Sequence, residues 1–252
     1  MRPEINQKLL ALNQTFYDSF AGSFSQTRRP ANPGFARLLA ALPASPVDLL
    51  DVACGNGRFG RYLRQKGALR SYTGVDFSEK LLQMAQAAAG GPVYRRDLSR
   101  PGSLAGLGQF DVVACLAALH HIPGRENRIQ LLREMGARLG QNGRLFLSTW
   151  QFMDSPRQRR KLRDWSEIGL SAADVEANDY LLTWQRDGFS YRYVCLIDEA
   201  EMAALAQAAG LTIVEQFRSD GREGNLGLYG VIRHTARCCA SVPGAPAANS
   251  SA

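Results

Sequence analysis

The chain has 252 residues, of which 45% are hydrophobic and 21% are charged, and this length is sufficient to bury a full core. No run of the roughly 18 to 20 apolar residues that a membrane span needs is present, so we do not expect a membrane protein. The formal net charge of +7 is compatible with a polyanionic partner, but an arginine-rich composition alone also produces it.

The N-terminal residues lack the basic-then-apolar order of a secretory signal, and we expect them to remain as an amphipathic helix. The five cysteines, Cys54, Cys115, Cys195, Cys238 and Cys239, are scattered without the spacing of metal ligands. We therefore expect a cytoplasmic protein with reduced thiols and without a metal site.

Residues 1–43 are predicted to form an N-terminal helical lid. Apolar side chains at Leu9, Phe16 and Phe20 recur at the spacing of one helix face. A second short helix, bounded by prolines, is expected over Phe35–Leu42. Helical padding without a functional role is the alternative interpretation of both segments.

Residues 44–234 are predicted to form the main domain, in which strands alternate with helices. Apolar runs predict strands at Val47–Val52, Ser71–Val75, Val93–Arg95, Phe110–Leu116, Arg144–Thr149, Leu211–Phe217 and Leu226–Ile232. Periodic segments predict helices at Arg58–Lys66, Glu79–Ala89, Arg125–Leu139 and Glu199–Ala209. This alternation is typical of a parallel sheet covered by helices on both faces, in which ligands bind at the edge formed by the carboxyl ends of the strands.

Residues 151–196 interrupt the alternation and predict an insertion that overhangs this edge. The insertion opens with a basic helical stretch from Ser155 to Arg163 and ends in an aromatic strand, Phe189–Val194. Residues 235–252 are rich in Ala, Ser, Pro and Gly and are predicted to be a disordered tail.

A glycine turn follows the first predicted strand, in the segment VDLLDVACGNGRFG that ends at Gly60. Gly55 and Gly57 let the backbone approach a ligand, and the free N–H groups of the next helix can meet its polar groups. The segment Gly55–Gly60 also fits the dinucleotide fingerprint G-x-G-x-x-G. A nicotinamide-dependent oxidoreductase is therefore one hypothesis.

Acidic residues follow three successive predicted strands and favour S-adenosylmethionine over NAD. Asp51 ends the first strand, where a carboxylate would repel a pyrophosphate but could hold a ligand ammonium. Asp76 is placed to accept both hydroxyls of a ribose, and Asp97 can accept the amino group of an adenine. Each acid taken alone could instead be a helix cap.

The chain resembles the class I S-adenosylmethionine-dependent methyltransferases. The motif segments that carry the resemblance are Asp51–Gly57, Gly74–Phe77, Asp97-Leu98, Phe110–Ile122 and Asn142–Thr149. The resemblance implies S-adenosyl-L-methionine as cofactor and an α/β fold, a Rossmann-like doubly wound seven-stranded sheet that is mostly parallel with its last strand antiparallel. The cofactor-binding residues that it implies are Tyr17, Asp51, Ala53, Cys54, Gly55, Gly57, Asp76, Phe77, Asp97, Leu98 and Cys115. Ala53 stands where the motif usually has its first glycine.

The chain is more specifically similar to the tRNA wobble-uridine methyltransferases that esterify 5-carboxymethyluridine. The matching pieces are Phe16-Tyr17, Phe24–Arg28, His120-His121, Thr149-Trp150, Tyr180–Trp184 and Tyr191–Tyr193. This similarity implies tRNA as the acceptor and, in some members, a small activating subunit. Two departures are Thr183, where the group tends to have Pro, and the poorly matched loop Ala172–Asn178.

A carboxylate acceptor is ionised at pH 7 and needs cations or hydrogen-bond donors rather than a general base. Arg28 is the first candidate, because arginine binds carboxylates bidentately, and an ordinary surface arginine is the alternative. His120 or His121 could donate a hydrogen bond, or act as a base toward a hydroxyl acceptor. A histidine that caps the following helix or packs in the core is the alternative for at least one of the pair.

The remaining candidates are expected to contact the acceptor. Trp150 and Trp184 could stack on a base, although aromatic residues at strand ends often belong to the core. The basic residues of the insertion could contact phosphates, or could form a solvated helix face; they are Arg157, Arg159, Arg160, Lys161 and Arg163. Arg192 is included because it lies in a segment that matches the tRNA-modifying group.

Three alternatives to the tRNA methyltransferase stay open from the sequence. They are a small-molecule O- or carboxyl-methyltransferase of the same fold, the nicotinamide-dependent oxidoreductase, and a non-catalytic protein that binds the donor without turnover.

Overall fold

A computed structural model describes residues 1–26, 32–185 and 188–235. The α-helices are α1 Pro3–Gln26, α2 Gly34–Ala40, α3 Arg58–Gln65, α4 Glu79–Ala89, α5 Arg125–Gly136, α6 Pro156–Arg159 and α7 Glu199–Ala208. The strands are β1 Val47–Val52, β2 Leu69–Asp76, β3 Val93–Arg95, β4 Phe110–Leu116, β5 Leu139–Trp150, β6 Leu162–Arg163, β7 Asp179–Trp184, β8 Ser190–Cys195, β9 Leu211–Ser219 and β10 Gly227–His234.

Seven strands form the main sheet, in the order β3-β2-β1-β4-β5-β10-β9. Strands β1 to β5 are paired in parallel, whereas β10 runs antiparallel to both of its neighbours, β5 and β9. This architecture confirms the predicted doubly wound sheet with its last strand antiparallel. The carboxyl ends of β1, β2, β4 and β5 consequently lie at one edge.

Two hydrophobic clusters cover the two faces of the sheet. Leu50 of β1 packs in the cluster that contains residues of α1, α5 and α7, whereas its neighbour Leu49 packs in the cluster that contains residues of α2, α3 and α4. Successive side chains of a strand point to opposite faces, and both faces are buried here, which accounts for the four apolar residues among the six of β1.

The range 151–196 carries a small antiparallel sheet in the order β6-β7-β8. The prediction of a basic helical stretch from Ser155 to Arg163 is wrong beyond one turn, since α6 ends at Arg159 and the chain enters β6. Several like charges within two turns weaken a helix. The chain instead pairs with β7, where the Thr183 N–H donates to the Lys161 carbonyl at 2.9 Å.

Other sequence predictions concern membrane spans, the cysteines and the C-terminal tail. Within the described ranges, no helix is long and apolar enough to cross a membrane. Cys54, Cys115 and Cys195 are buried free thiols. Thr235, the first residue of the predicted tail, donates a hydrogen bond to the Gly210 carbonyl at 3.1 Å. The rest of that tail lies outside the described residues, as do Cys238 and Cys239.

Candidate active site

A cavity of about 760 Å³ opens at the carboxyl edge of the main sheet, between the ends of β1, β2, β4 and β5, the helix α1 and the strand β8. Most of the predicted site residues line it. They are Tyr17, Asp51, Ala53, Cys54, Gly55, Asp76, Phe77, Asp97, Leu98, Cys115, His120, His121, Trp150 and Arg192. The fold therefore brings together residues that are spread from α1 to β8.

Five predicted site residues are not among those that line the described cavity wall. Arg28 lies outside the described residues. Arg157 and Arg160 are exposed near α6, and Trp184 packs edge-to-face on Phe16 with ring centroids 5.5 Å apart. Gly57 has a φ of 70°, and a Cβ on it would lie 2.8 Å from the Ala85 Cα. Gly57 thus allows α3 to approach α4 rather than facing a ligand.

The turn after β1 is held in a left-handed backbone conformation. Ala53 and Gly55 both have a φ of 54°. A Cβ on Gly55 would meet nothing within 4 Å, so the backbone there is open to a ligand. Ala53 has a Cβ in the same backbone region, which costs about 1 kcal/mol or more relative to glycine. The substitution of the usual glycine is thus tolerated with local strain.

Asp76 and Asp97 offer carboxylate oxygens at one end of the cavity. Asp76 is 4% exposed, and its two oxygens accept hydrogen bonds from the Gly55 N–H at 2.9 Å and the Ser78 N–H at 3.0 Å. Burial raises the pKa of Asp76 despite these bonds, which lower it. Asp97 is more open, with its Oδ2 accepting from the Arg100 Nε at 2.9 Å. Backbone donors thus hold Asp76 rigidly, with acceptor capacity left for ribose hydroxyls.

Asp51 lies on the cavity floor with 3% exposure. Burial raises the pKa of Asp51 to about 8. The Tyr72 hydroxyl donates a hydrogen bond to Asp51 Oδ2 at 3.3 Å, which lowers this pKa, whereas the charge of Asp76 raises it further. A cation bound beside Asp51 would favour the ionised form. This buried acid fits a ligand ammonium group.

The histidines line the cavity in the short helical turn Leu119–His121, which follows β4. The His121 Nδ1 lies 3.1 Å from the Tyr193 carbonyl oxygen, which can only accept, so Nδ1 carries the proton. In the neutral ring the Nε2 then holds the lone pair. His120 is 1% exposed, with its ring centroid 4.3 Å from that of His121. His121 is therefore the histidine with a defined tautomer.

Asn13 of α1 connects this wall, and sequence reasoning missed it. Its amide donates to the carbonyls of His121 and Tyr193, both at 3.1 Å, and accepts from the Tyr193 N–H at 2.8 Å. The only signal in the sequence is a polar residue on the apolar face that Leu9 and Phe16 define. Asn13 thereby ties α1 to the turn at His121 and to β8.

A buried polar network connects β8 to β7 and α5. The Tyr193 hydroxyl donates to Asp179 at 2.6 Å and accepts from Arg128 at 3.1 Å. Arg128, which is 2% exposed, pairs with Glu176 at 2.7 Å. These contacts fix the strand on which Arg192 stands.

Arg192 is 4% exposed and lies among aromatic rings. Its Cζ is 4.5 Å from the ring centre of Trp150 and 5.3 Å from that of Phe16. Burial lowers the pKa of Arg192, and a hydrogen bond with Tyr17 opposes this shift. Its Nε is buried without a hydrogen-bond partner, and within the described part of the chain no Asp or Glu forms an ion pair with it. A buried cation with spare donors faces the cavity.

Comparison with known proteins places the chain among methyltransferases. The profile of a family described as a methyltransferase domain matches residues 24–216. An Encephalitozoon cuniculi protein described as a methyltransferase is 28% identical over 200 residues, which are 79% of this chain and 87% of that protein.

Two further relatives carry more specific names. The tRNA (carboxymethyluridine(34)-5-O)-methyltransferase of Schizosaccharomyces pombe is 29% identical over 157 residues, 61% of each chain. The ubiquinone biosynthesis O-methyltransferase of Pseudomonas paraeruginosa is 36% identical over 105 residues, 40% of this chain and 43% of that protein. The alignments thus span less than two thirds of these two relatives.

The fold is shared with solved methyltransferase structures. The 1,6-didemethyltoxoflavin-N1-methyltransferase of Burkholderia thailandensis, solved with S-adenosylhomocysteine, matches with a TM-score of 0.63 at 21% identity, over 92% of this chain and 91% of that one. These findings confirm the predictions of the α/β fold, of a methyltransferase and of S-adenosylmethionine as cofactor. Since the family profile matches residues 24–216, which is more than half of the chain, the chain belongs to the methyltransferase domain family.

Proposed function

We propose that this protein methylates a carboxylate, and that the acceptor is the 5-carboxymethyl group of a tRNA wobble uridine, which becomes a methyl ester. The observation that carries the proposal is the buried guanidinium of Arg192, which faces the cavity and has no acidic partner among the described residues. The name of the S. pombe relative supports the identity of the acceptor.

Three acids and the glycine turn are suited to hold the cofactor. The Asp76 carboxylate would accept the ribose hydroxyls, Asp97 the adenine amino group and Asp51 the ammonium of the methionine end. When bound, S-adenosylmethionine supplies a methyl group that its sulfonium already activates. The task left to the chain is to position the two reactants and to exclude water, which together contribute roughly 7 to 11 kcal/mol in favourable cases.

Arg192 would orient the acceptor. A guanidinium offers paired N–H donors that match the two oxygens of a carboxylate. Because Arg192 is buried, an arriving anion would compensate a charge that burial leaves poorly solvated. The acceptor carboxylate is ionised at pH 7, so no residue has to remove a proton from it.

A small-molecule hydroxyl acceptor is the second candidate, and the tautomer of His121 favours it. With Nδ1 donating to the Tyr193 carbonyl, the neutral ring holds its lone pair on Nε2, the atom that would take a proton from a hydroxyl. The Pseudomonas paraeruginosa relative is named as an O-methyltransferase. The two candidates thus differ in which residue is essential, Arg192 or His121.

The test is methyl transfer from labelled donor to tRNA that carries 5-carboxymethyluridine, with unmodified tRNA as the reference. We expect label only in the carboxymethylated tRNA, and its release by mild alkali, as for an ester. Arg192→Gln should lose transfer while it retains S-adenosylhomocysteine binding. Arg70→Gln is the matched control, because Arg70 is an exposed arginine paired with Asp48 and Asp111 away from the cavity.

Two outcomes would contradict the proposal. Absence of label in both tRNAs at low salt excludes the tRNA acceptor. Full transfer by Arg192→Gln excludes the assigned role of Arg192. Labelling of a phenolic acceptor that is lost in His121→Gln but retained in Arg192→Gln would establish the second candidate instead.

A further inference from the structure

The insertion carries three cations that differ in exposure. Arg157 of α6 is exposed, Lys161 between α6 and β6 is half-buried, and Arg192 is buried. The Lys161 Nζ is 5.9 Å from the ring centre of Trp184, and the Arg192 Cζ is 6.0 Å from the same point. Since both distances are measured to one ring centre, the two cations are at most about 12 Å apart.

These charges are not neutralised by the described part of the chain. No Asp or Glu there forms an ion pair with Arg157, Lys161 or Arg192. Burial lowers the pKa of Lys161, and the charges of Arg192 and Arg157 lower it further. A cluster of like charges that is partly removed from water favours an anionic ligand.

Two of the neighbouring basic residues are engaged in other contacts, whereas Arg160 is exposed. Arg159 donates to the Met153 carbonyl at 2.7 Å, and Arg163 lies 4.0 Å from Glu167. The backbone at Lys161 is fixed by the hydrogen bond from Thr183. Lys161 therefore lies beside the Trp184 ring, close enough to Arg157 and to Arg192 of the cavity wall for both charges to act on it.

We propose that Lys161 and Arg157 bind a phosphate group of the acceptor next to the carboxylate that Arg192 holds. This inference rests on the proposed function and narrows it, because a phosphate near a base that carries a carboxylate is present in a nucleotide and absent from a nucleoside. Phosphate contacts position a strand, and the group at Arg192 then selects the nucleotide.

The experiment measures binding of a short single-stranded RNA by fluorescence anisotropy at several salt concentrations. Each phosphate contact contributes about 0.7 to the slope of log affinity against log salt for a single strand. We expect Lys161→Gln to lower the slope by about that amount and to weaken binding about fivefold or more at low salt. Lys161→Arg should restore both values.

Lys66→Gln is the matched control, since the Lys66 Nζ lies 5.9 Å from the Tyr62 ring centre at the end of α3, away from the cavity. Retained S-adenosylhomocysteine binding verifies that each variant is folded. Equal slopes for the wild type, Lys161→Gln and Lys66→Gln would overturn the phosphate site. A Lys161-dependent slope without methylation of carboxymethylated tRNA would keep the phosphate site and reject the proposed function.

Discussion

Asp51→Asn tests whether the cavity floor holds an acid that is protonated in the absence of the donor. Burial raises the pKa of Asp51 from its ordinary value of 3.8 to about 8. Between these values the folded protein binds one more proton at Asp51 than the unfolded chain does. The stability that this proton contributes is complete below pH 3.8 and is lost as the pH rises toward 8.

The magnitude follows from the width of that window. One pKa unit corresponds to about 1.4 kcal/mol, so between pH 5 and pH 8 Asp51 should remove about 4 kcal/mol from the free energy of unfolding. Asparagine retains a hydrogen-bond acceptor for Tyr72 but does not titrate. The donor-free Asp51→Asn variant should therefore show a flatter pH dependence and be more stable than the wild type at pH 8.

Urea unfolding of the donor-free proteins at pH 5, 6.5 and 8 measures this difference. Glu126→Gln, which removes an exposed carboxylate of α5, is the control and should follow the wild type. The same Asp51→Asn variant should bind S-adenosylhomocysteine about tenfold or more weakly, because it loses the carboxylate that we propose pairs with the ligand ammonium. Parallel pH slopes for the wild type and Asp51→Asn would refute the reasoning.

Two further predictions concern Ala53 in the turn after β1 and Asn13, which connects α1 to His121 and Tyr193. Ala53→Gly should raise the free energy of unfolding, measured in urea, by about 1 kcal/mol, because glycine relieves the strain of an alanine in the left-handed backbone region. The control is Ala87→Gly on the exposed face of α4, which should lower the free energy of unfolding by about as much. A lower free energy of unfolding in both variants would contradict the strain at Ala53. Asn13→Asp replaces the amide N–H donors with an oxygen that faces two carbonyl oxygens. It should therefore lower the free energy of unfolding in urea by about 2 to 4 kcal/mol. It should also lower kcat by a larger factor than it changes the KM for the donor. The exposed Asn142→Asp is its control, and equal behaviour of the two variants would remove the positioning role of Asn13.

Much of the domain core could be predicted from local patterns. Apolar runs such as Val47–Val52, followed by glycines and acids, indicate a buried strand that ends at a ligand-binding edge, and the sheet places Asp51 and Asp76 at that edge. This works because the burial of a strand on both faces and the conformation of a glycine turn depend on residues that are neighbours in the chain.

The insertion shows where local patterns are insufficient. The basic stretch after Ser155 is consistent with a helix, but pairing of Leu162 with Leu182 extends the chain into β6. Gly57 fits a ligand-binding motif, yet the approach of α4 to α3 explains it. In both cases a partner that is distant in the chain decides the conformation or the role.

The sequence by itself determined the fold class, the cofactor and the carboxylates suited to bind it, because each of these depends on short motifs at the ends of strands. Only the tertiary structure revealed that Asn13 meets Tyr193, 180 residues away, and that the guanidinium of Arg192 is buried where it lines the cavity. The packing of α1 against β8 decides which polar groups are buried together. The spacing of apolar residues in α1 does not indicate which residues of β8 it will contact. The residues suited to the donor could therefore be inferred from the sequence, whereas the contacts of the proposed acceptor site, such as those of Asn13, required the packed side chains.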